Sequence, residues 1–398
     1  MPFSRPSSLV LPLVATLAAS TAYAQTAQKN DAGAAQVAIT LTGDNGGTCA
    51  LSAKEAVAGP VTFTVTNQTA TALTEVELLS GNRIIGEKEN LAPGLPPVSF
   101  TVTLGGGDYE IYCPGAAEQK VAFSVKGQLA QRPQGSASEL LAKGTKDYNA
   151  YVNETVDAML VAVTKLKTDI DAGNLEAAKI DYARARPFYE RIESDVDGFV
   201  MDGFDATDNH GNLDYLIDMR ASNEDPAVGW SGYHAIERDL FERGAITDDT
   251  KTLAADLVKN VTLLDKLAPS LDFWPEDLAN GAADLLEEVQ SSKISGEEEA
   301  YSHIDLADFA GNVEGAEQAF AYLQPGMEQI DPDLTARVSD EFAKVRALLD
   351  QYRDNSVPGG YVLYTQELKA SDKVKLSKAI QSLQEPLSRV AEKVATAG

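Results

Sequence analysis

The chain has 398 residues, with 33 Lys and Arg, 60 Asp and Glu, and a formal net charge of −27. This length is enough for two or three domains. The acidic excess argues against a protein that binds nucleic acid or anionic lipid, because both need a basic surface. The same charge suits cations, although it also serves the solubility of an exported protein.

The N-terminus is predicted to be a secretory signal peptide. Arg5 supplies a positive charge, and residues 9–19 form an apolar run that is too short to cross a bilayer. The small residues Ala22 and Ala24 favour cleavage after Ala24. We therefore expect a periplasmic protein that starts after residue 24. We also expect no lipid anchor, because no cysteine lies near that point.

Residues 25–125 are predicted to form a cupredoxin-like β-sandwich. Several short segments alternate apolar and polar residues, and Gly- and Pro-containing turns separate them. These segments are 37–42, 61–66, 98–103 and 121–126. The segment 109–115 is similar to the last strand and metal loop of a cupredoxin. The region has no histidine, which excludes a blue-copper site built from two His and one Cys.

The two cysteines of the chain, Cys49 and Cys113, both lie in this region. Both are expected at the same pole of the sandwich. An oxidising compartment favours a disulfide between them. The alternative is that both thiolates bind one metal ion.

Residues 126–137 are predicted to be a linker, and residues 138–398 a bundle of six to eight helices. In this second region apolar residues recur at intervals of three and four. One predicted helix starts after Asn174 and runs to about Glu193, with a kink at Pro187.

Two pairs of ligand-type residues in the helical region are spaced at i and i+3: Glu190 with Glu193, and His234 with Glu237. On a helix such residues are neighbours. If the pairs face each other, they form an oxygen-rich metal site with one imidazole, which suits iron or manganese. The competing interpretations are a solvated acidic face and a hydrogen-bonded core histidine. Asp218 is a further candidate because, unlike its neighbouring acids, it lies among apolar residues.

Several motifs resemble those of the EfeO family of ferrous-iron uptake systems. The sequence Gly-Tyr-His-Ala-Ile-Glu at 232–237 resembles the G-x-H-x-x-E signature of imelysin-like domains. Residues 292–306, 308–315, 89–94 and 189–193 are similar to EfeO segments.

The resemblance implies a periplasmic iron-binding protein with a membrane iron permease and a secreted haem-containing peroxidase-like protein as partners. It places a metal site on Glu190, Glu193, Asp218 and Glu237 with His234. For the cupredoxin-like region it matches both cysteines, with Glu77 and Glu89 as carboxylate partners, and copper is the second metal considered there.

Two other functions compete with iron binding. Imelysin-like domains have carried a peptidase label, but a zincin needs two His on one helical turn and this chain has H-x-x-E alone. The second competitor is a solute- or polysaccharide-binding protein. The sequence does not distinguish Fe²⁺ from Fe³⁺.

Overall fold

The computed structural model describes residues 26–43, 46–130 and 135–397. Strands occupy the first part of this chain and helices the second, as the sequence predicts. The predicted signal peptide lies outside the described residues, and so do residues 131–134 of the predicted linker.

The described residues of the strand region form two sheets of five strands each. The strands are β1 (Gln28–Lys29), β2 (Ala35–Thr42), β3 (Thr48–Leu51), β4 (Glu55–Val57), β5 (Gly59–Asn67), β6 (Val76–Ser80), β7 (Arg83–Lys88), β8 (Val98–Leu104), β9 (Gly107–Tyr112) and β10 (Lys120–Lys126). One sheet has the order β1-β2-β5-β8, with β3 also paired to β2. The other has the order β4-β10-β9-β6-β7.

The core between these sheets is formed by alternate residues of each strand. On β5, Val61, Phe63 and Val65 are buried, because every second residue of a strand faces the same side. The Phe63 ring lies 5.2 Å from that of Phe100 in the same sheet and 5.3 Å from that of Phe123 in the other. The predicted β-sandwich is therefore confirmed.

The structure contains the predicted disulfide between Cys49 and Cys113. Cys49 lies on β3, where it pairs with Leu41, and Cys113 directly follows β9. Their Cα atoms are 6.4 Å apart, within the range of disulfides. In this oxidised form neither sulfur is available to a metal as a thiolate.

Among the described residues, the second region is built from helices, with two isolated β-bridges in its loops. Its α-helices are α1 (Ser136–Asp171), α2 (Leu175–Glu190), α3 (Glu193–Val196), α4 (Leu213–Asp218), α5 (Gly232–Glu237), α6 (Asp248–Leu267), α7 (Pro275–Glu288), α8 (Asp305–Ile330), α9 (Pro332–Leu349), α10 (Gln366–Leu387) and α11 (Val390–Ala395). Within the described part of the chain, no helix is both long enough and apolar enough to span a membrane.

The structure corrects the prediction that Glu190 and Glu193 share one helical turn. Asn174 does cap α2, by accepting a hydrogen bond from the Ala177 amide, and Pro187 lies inside the helix. However, α2 ends at Glu190, and Ile192 leaves the helical conformation with φ −133°. Glu193 opens the separate short helix α3. The two glutamates are therefore brought together by a turn.

The sandwich packs against the helical region through polar contacts. The Asn280 amide on α7 donates a hydrogen bond of 2.6 Å to the carbonyl oxygen of Thr101 on β8. Lys88, at the end of β7, is 5% exposed and forms ion pairs with Asp284 and Glu287 of α7. Both sheets thus contact α7, one through β8 and the other through β7.

Candidate metal centre

Gly232 brings the histidine helix α5 against α4. It has φ +79°, a conformation that favours glycine. A Cβ atom here would lie 2.2 Å from the carbonyl oxygen of Ile217. The glycine therefore permits a close approach that places His234 beside Asp218.

His234 is 1% exposed and faces carboxylates on both sides of its ring. Nδ1 lies 3.3 Å from Glu237 Oε2. Nε2 lies 3.3 Å from Glu298 Oε1 and 3.6 Å from Asp218 Oδ1, but it makes no hydrogen bond to any described residue. The ring is thus held by Glu237 at Nδ1 and lies in ion-pair range of two carboxylates at Nε2.

Glu237 is fixed from the side opposite the histidine. Its Oε1 accepts hydrogen bonds from the backbone amides of Tyr301 and Ser302, at 2.8 and 2.7 Å. This leaves Oε2 for the imidazole.

Glu298 and Glu299 also belong to the site, although their spacing in the sequence does not indicate it. Ligand-type atoms of Asp218, His234 and Glu298 all lie within 4.8 Å of one another. The same holds for a second group, which consists of His234, Glu237 and Glu299. Glu299 Oε1 accepts a hydrogen bond of 2.8 Å from the Tyr182 hydroxyl. The available signal was a run of three glutamates inside the segment 292–306, which resembles the EfeO family.

Arg186 lies at the centre of these acids and is fully buried. Its guanidinium contacts five carboxylates, and its carbon Cζ lies 5.0 Å from the centre of the Tyr233 ring. The carboxylates are those of Glu190, Asp218, Glu298, Glu299 and Asp308.

Lys293 is a second buried cation, 1% exposed, at the end of a π-helical turn. Its Nζ lies 3.2 Å from Glu190 Oε2 and 3.3 Å from Glu298 Oε1. It also lies 3.4 Å from Glu288 Oε2 and 3.9 Å from Glu193 Oε2. This amine therefore contacts both predicted glutamates, Glu190 and Glu193, and also Glu288 and Glu298.

The centre has more acids than its buried cations can neutralise. Burial raises the pKa of Glu193, Glu299 and Asp308 well above its ordinary value, and neighbouring carboxylates add to the effect. Burial also raises the pKa of Asp218 to about 7, against the lowering effect of Arg186 and His234. Protons here take the place of positive charge that a cation would supply.

The excess of carboxylates also changes the pKa of His234. Burial and Arg186 lower the pKa of His234, but Asp218, Glu237 and Glu298 outweigh both and raise it to about 10. The ring is therefore protonated at neutral pH in the metal-free protein, and a metal at Nε2 must displace that proton.

The structure brings together all five residues that the sequence predicts for the helical site: Glu190, Glu193, Asp218, His234 and Glu237. Their role as metal ligands stays a prediction. All five lie in one cluster with Arg186, Lys293, Glu298, Glu299 and Asp308.

The carboxylates predicted for the cupredoxin-like region lie apart from the cysteines. Glu77 pairs across the sheet with Tyr112, so these two side chains lie on the same face of the sheet. Cys113, the residue after Tyr112, takes the opposite face. Burial, together with Glu75, raises the pKa of Glu77 to about 9. Glu89 lines a cavity of about 100 Å³ between the sandwich and α7. The structure thus does not assemble Glu77, Glu89 and the cysteines into one site.

Two similar proteins are described as Efem/EfeO family lipoproteins. One, from Staphylococcus haemolyticus (strain JCSC1435), is 37% identical over 271 residues, which are 67% of this chain and 89% of the relative. Another, from Staphylococcus aureus (strain MRSA252), is 38% identical over 254 residues, 63% of this chain and 84% of the relative. Neither description identifies a partner, so the expected permease and peroxidase-like protein gain no support from it.

These relatives overturn the expectation of no lipid anchor. Lipoproteins are lipid-anchored, and both relatives carry that description. The expectation was wrong because it depended on the lack of a cysteine near one assumed cleavage point, after Ala24, which lies outside the described residues.

A family model gives the same classification for the helical region. The model described as Imelysin matches residues 144–390, which is more than half of the chain and contains every residue of the cluster around His234. Together with the extent and identity of the two relatives, this match shows that the chain belongs to the imelysin family and to its Efem/EfeO group.

Proposed function

We propose that this protein is the iron-binding component of an uptake system, which captures iron at the centre around His234 and delivers it to a membrane iron permease. Membership of the Efem/EfeO group supports a component of iron uptake. The lipoprotein relatives support a location at the cell surface or outside the cell, and we propose the periplasm for this chain.

The single observation that carries the proposal is the placement of Nε2 of the buried His234 beside two carboxylates. The contacts of Nε2 lack hydrogen-bond geometry to any described residue, and an imidazole nitrogen beside carboxylate oxygens is a donor set that suits iron or manganese. Nε2 points to Asp218 and Glu298, whose oxygens lie 3.6 and 3.3 Å away. We assign these three residues, with Glu190 and Glu193, as the metal ligands.

We assign Glu237 a different role from the one the sequence predicts. Its two oxygens are already used, one by backbone amides and the other by Nδ1 of His234. A carboxylate on the second nitrogen fixes the orientation of a ligating histidine and increases its basicity. Glu237 therefore positions His234 and does not itself bind the metal.

The donor set favours iron or manganese over zinc and copper. It consists of carboxylate oxygens with one imidazole, and it contains no sulfur. Several carboxylates stabilise a highly charged hard cation such as Fe³⁺, and the imidazole also suits Fe²⁺.

A peptidase function is not favoured by the arrangement. Of the three histidines of the chain, His210 and His303 are exposed, and His234 alone is buried in the cluster. The two-histidine zinc site of a zincin therefore does not form around His234. We propose a binding protein without enzymatic activity.

The test is metal binding by the purified full chain. Fe²⁺ under anaerobic conditions, and Mn²⁺ as an air-stable substitute, should bind tightly at one site in the helical region. Binding should be lost in His234→Ala and retained in His210→Ala, which changes an exposed histidine. Equal binding by both variants, or chelator-sensitive peptide cleavage that requires His234, would overturn the proposal.

A further inference from the structure

The side chain of Lys293 is placed where a metal ion is expected, which raises the question of what it does when metal binds. Its Nζ lies between 3.2 and 3.9 Å from four carboxylates. An ammonium is a compact point charge on a flexible stem, unlike the planar guanidinium of arginine. The ammonium group of Lys293 is therefore surrounded by carboxylate oxygens, as a bound metal ion would be.

We propose that Lys293 is a resident cation that occupies the centre in the metal-free protein and is displaced towards Glu288 when the metal binds. This inference rests on the function proposed above. It assigns to Lys293 the role of an internal competitor that sets metal affinity and permits release.

The partners of Lys293 fall into two groups by burial. The side chains of Glu190 and Glu298 are 0 and 2% exposed and lie on the side of His234. Those of Glu193 and Glu288 are both 16% exposed, and both line the cavity of about 100 Å³ at the boundary with the sandwich. The amine thus bridges the buried centre and this cavity.

Three of the four partners are proposed metal ligands, and the fourth is not. Glu190, Glu193 and Glu298 cannot fully serve a metal and Lys293 at once, because two cations at the same oxygens repel each other. Glu288 lies outside the proposed ligand set, and it holds Lys293 and also Arg220, whose Nη1 lies 3.2 Å from Glu288 Oε2. Glu288 therefore remains as a partner for the displaced amine.

Arg186 is not suited to the same movement. It stacks on Tyr233, and its Nε lies 3.0 Å from Glu299 and 3.3 Å from Asp308, outside the group of proposed ligands. These contacts hold the guanidinium in place, although its Nη1 and Nη2 also contact the proposed ligands Asp218, Glu190 and Glu298. Lys293 ends a π-helical turn instead, and such turns are frequent at functional sites.

The experiment measures Fe²⁺ and Mn²⁺ affinity of the full chain for the wild type and for Lys293→Met, Lys293→Arg and Lys344→Met. Lys293→Met removes the competing charge and should lower the dissociation constant at least about tenfold. Lys293→Arg keeps the charge but replaces the compact ammonium with a planar guanidinium, so it should bind metal no more tightly than the wild type. Lys344→Met is the matched control, because that side chain is 67% exposed and pairs with Glu341 on the same helix.

A double-mutant comparison with Glu288 distinguishes the displacement of Lys293 from a general loss of structure. Glu288→Gln should weaken metal binding in the wild-type background and have no effect in the Lys293→Met background, because Glu288 acts through the lysine. If Lys293→Met does not fold, the metal affinity of the single variant Glu288→Gln still tests the displacement, and we expect that affinity to be lower than that of the wild type.

The outcomes separate this inference from the proposed function. A wild-type protein that binds neither Fe²⁺ nor Mn²⁺ would refute the proposed function. A wild type that binds, with equal or weaker binding by Lys293→Met, or with unchanged binding by Glu288→Gln, would refute the displacement of Lys293 and leave the function intact.

Discussion

At the residue scale, the two nitrogens of His234 have different surroundings. Nδ1 faces a carboxylate that two backbone amides hold in place, and Nε2 faces carboxylates without a hydrogen bond among the described residues. The sequence placed Glu237 beside His234 by spacing alone. It did not indicate that Glu237 is already anchored, because the anchoring amides belong to Tyr301 and Ser302, far away in the chain.

The anchored carboxylate leads to a prediction for Glu237→Gln. The amide keeps the shape of the side chain but weakens its hold on Nδ1, so metal affinity should fall about 10- to 100-fold without loss of the site. Isothermal titration with Mn²⁺ measures this change. Complete loss of binding, as expected for His234→Ala, would instead make Glu237 a direct ligand.

The raised pKa values predict proton release on metal binding. With a pKa of about 10, His234 is protonated at neutral pH and must lose one proton to bind metal. Asp218, with a pKa of about 7, adds a second proton below pH 7 that disappears above it. Affinity should therefore rise with pH, about tenfold per pH unit for each proton released.

This proton release is measured by titration calorimetry at pH 6 and pH 8 in buffers with different ionisation enthalpies. We expect more protons to be released at pH 6 than at pH 8, and at least one at pH 8, because His234 is still protonated there. An affinity that does not change with pH would exclude His234 as a ligand.

At the element scale, the site depends on close approach between short helices. Gly232 lets α5 contact the backbone of α4, and Gly311 on α8 would meet Cβ of Glu190 at 2.7 Å if it carried a side chain. Both glycines were visible in the sequence, but spacing along the chain does not show which backbone they approach.

We predict that Gly232→Ala destabilises the fold and impairs the metal site. The positive φ costs about 1–2 kcal/mol for a residue with a Cβ, and the contact with Ile217 adds to this. Gly229→Ala is the matched control, since Gly229 has φ +86° and a Cβ atom there would have no neighbour within 4 Å among the described residues. Urea unfolding should show a loss of more than about 2 kcal/mol for Gly232→Ala and about 1 kcal/mol for Gly229→Ala. Equal losses would show that the close approach is not important.

Periodicity predicted most of the elements but not all of the site. Helices such as α6 (Asp248–Leu267) lie in the predicted helical region, where apolar residues recur at intervals of three and four. The residues around Glu298 lie in a polar turn between a π-helical segment and α8. Polar turns have no period, so no pattern in the sequence placed Lys293, Glu298 and Glu299 beside His234.

At the scale of the whole molecule, the cysteines and the metal centre are separate. The disulfide lies within the sandwich, and the cluster around His234 lies in the helical region and contains no sulfur. The sequence predicted the sandwich, the helical region and the disulfide. It did not predict the contacts between the two regions, because they join residues such as Lys88 and Asp284 that are distant in the chain.

We predict that reduction of the disulfide leaves iron binding at the helical site unchanged. Reduction should destabilise the sandwich by about 4 kcal/mol, because the bond closes a loop with a sequence separation of 64 residues. Alkylation with mass spectrometry should find no free thiol before reduction and two afterwards. Two free thiols in the untreated protein would instead favour metal binding by the cysteines.

The most direct test of the central claim is Fe²⁺ binding, under anaerobic conditions, by a variant with both Glu190→Gln and Glu193→Gln. The control is Glu314→Gln with Glu317→Gln, a pair with the same spacing on α8 whose partners are Arg191 and Arg346. If the centre around His234 holds the iron, the first variant should bind at least about 100-fold more weakly, a loss of about 2.8 kcal/mol, and the control should bind like the wild type. Unchanged binding by the Glu190 and Glu193 variant would contradict the assignment of the metal centre.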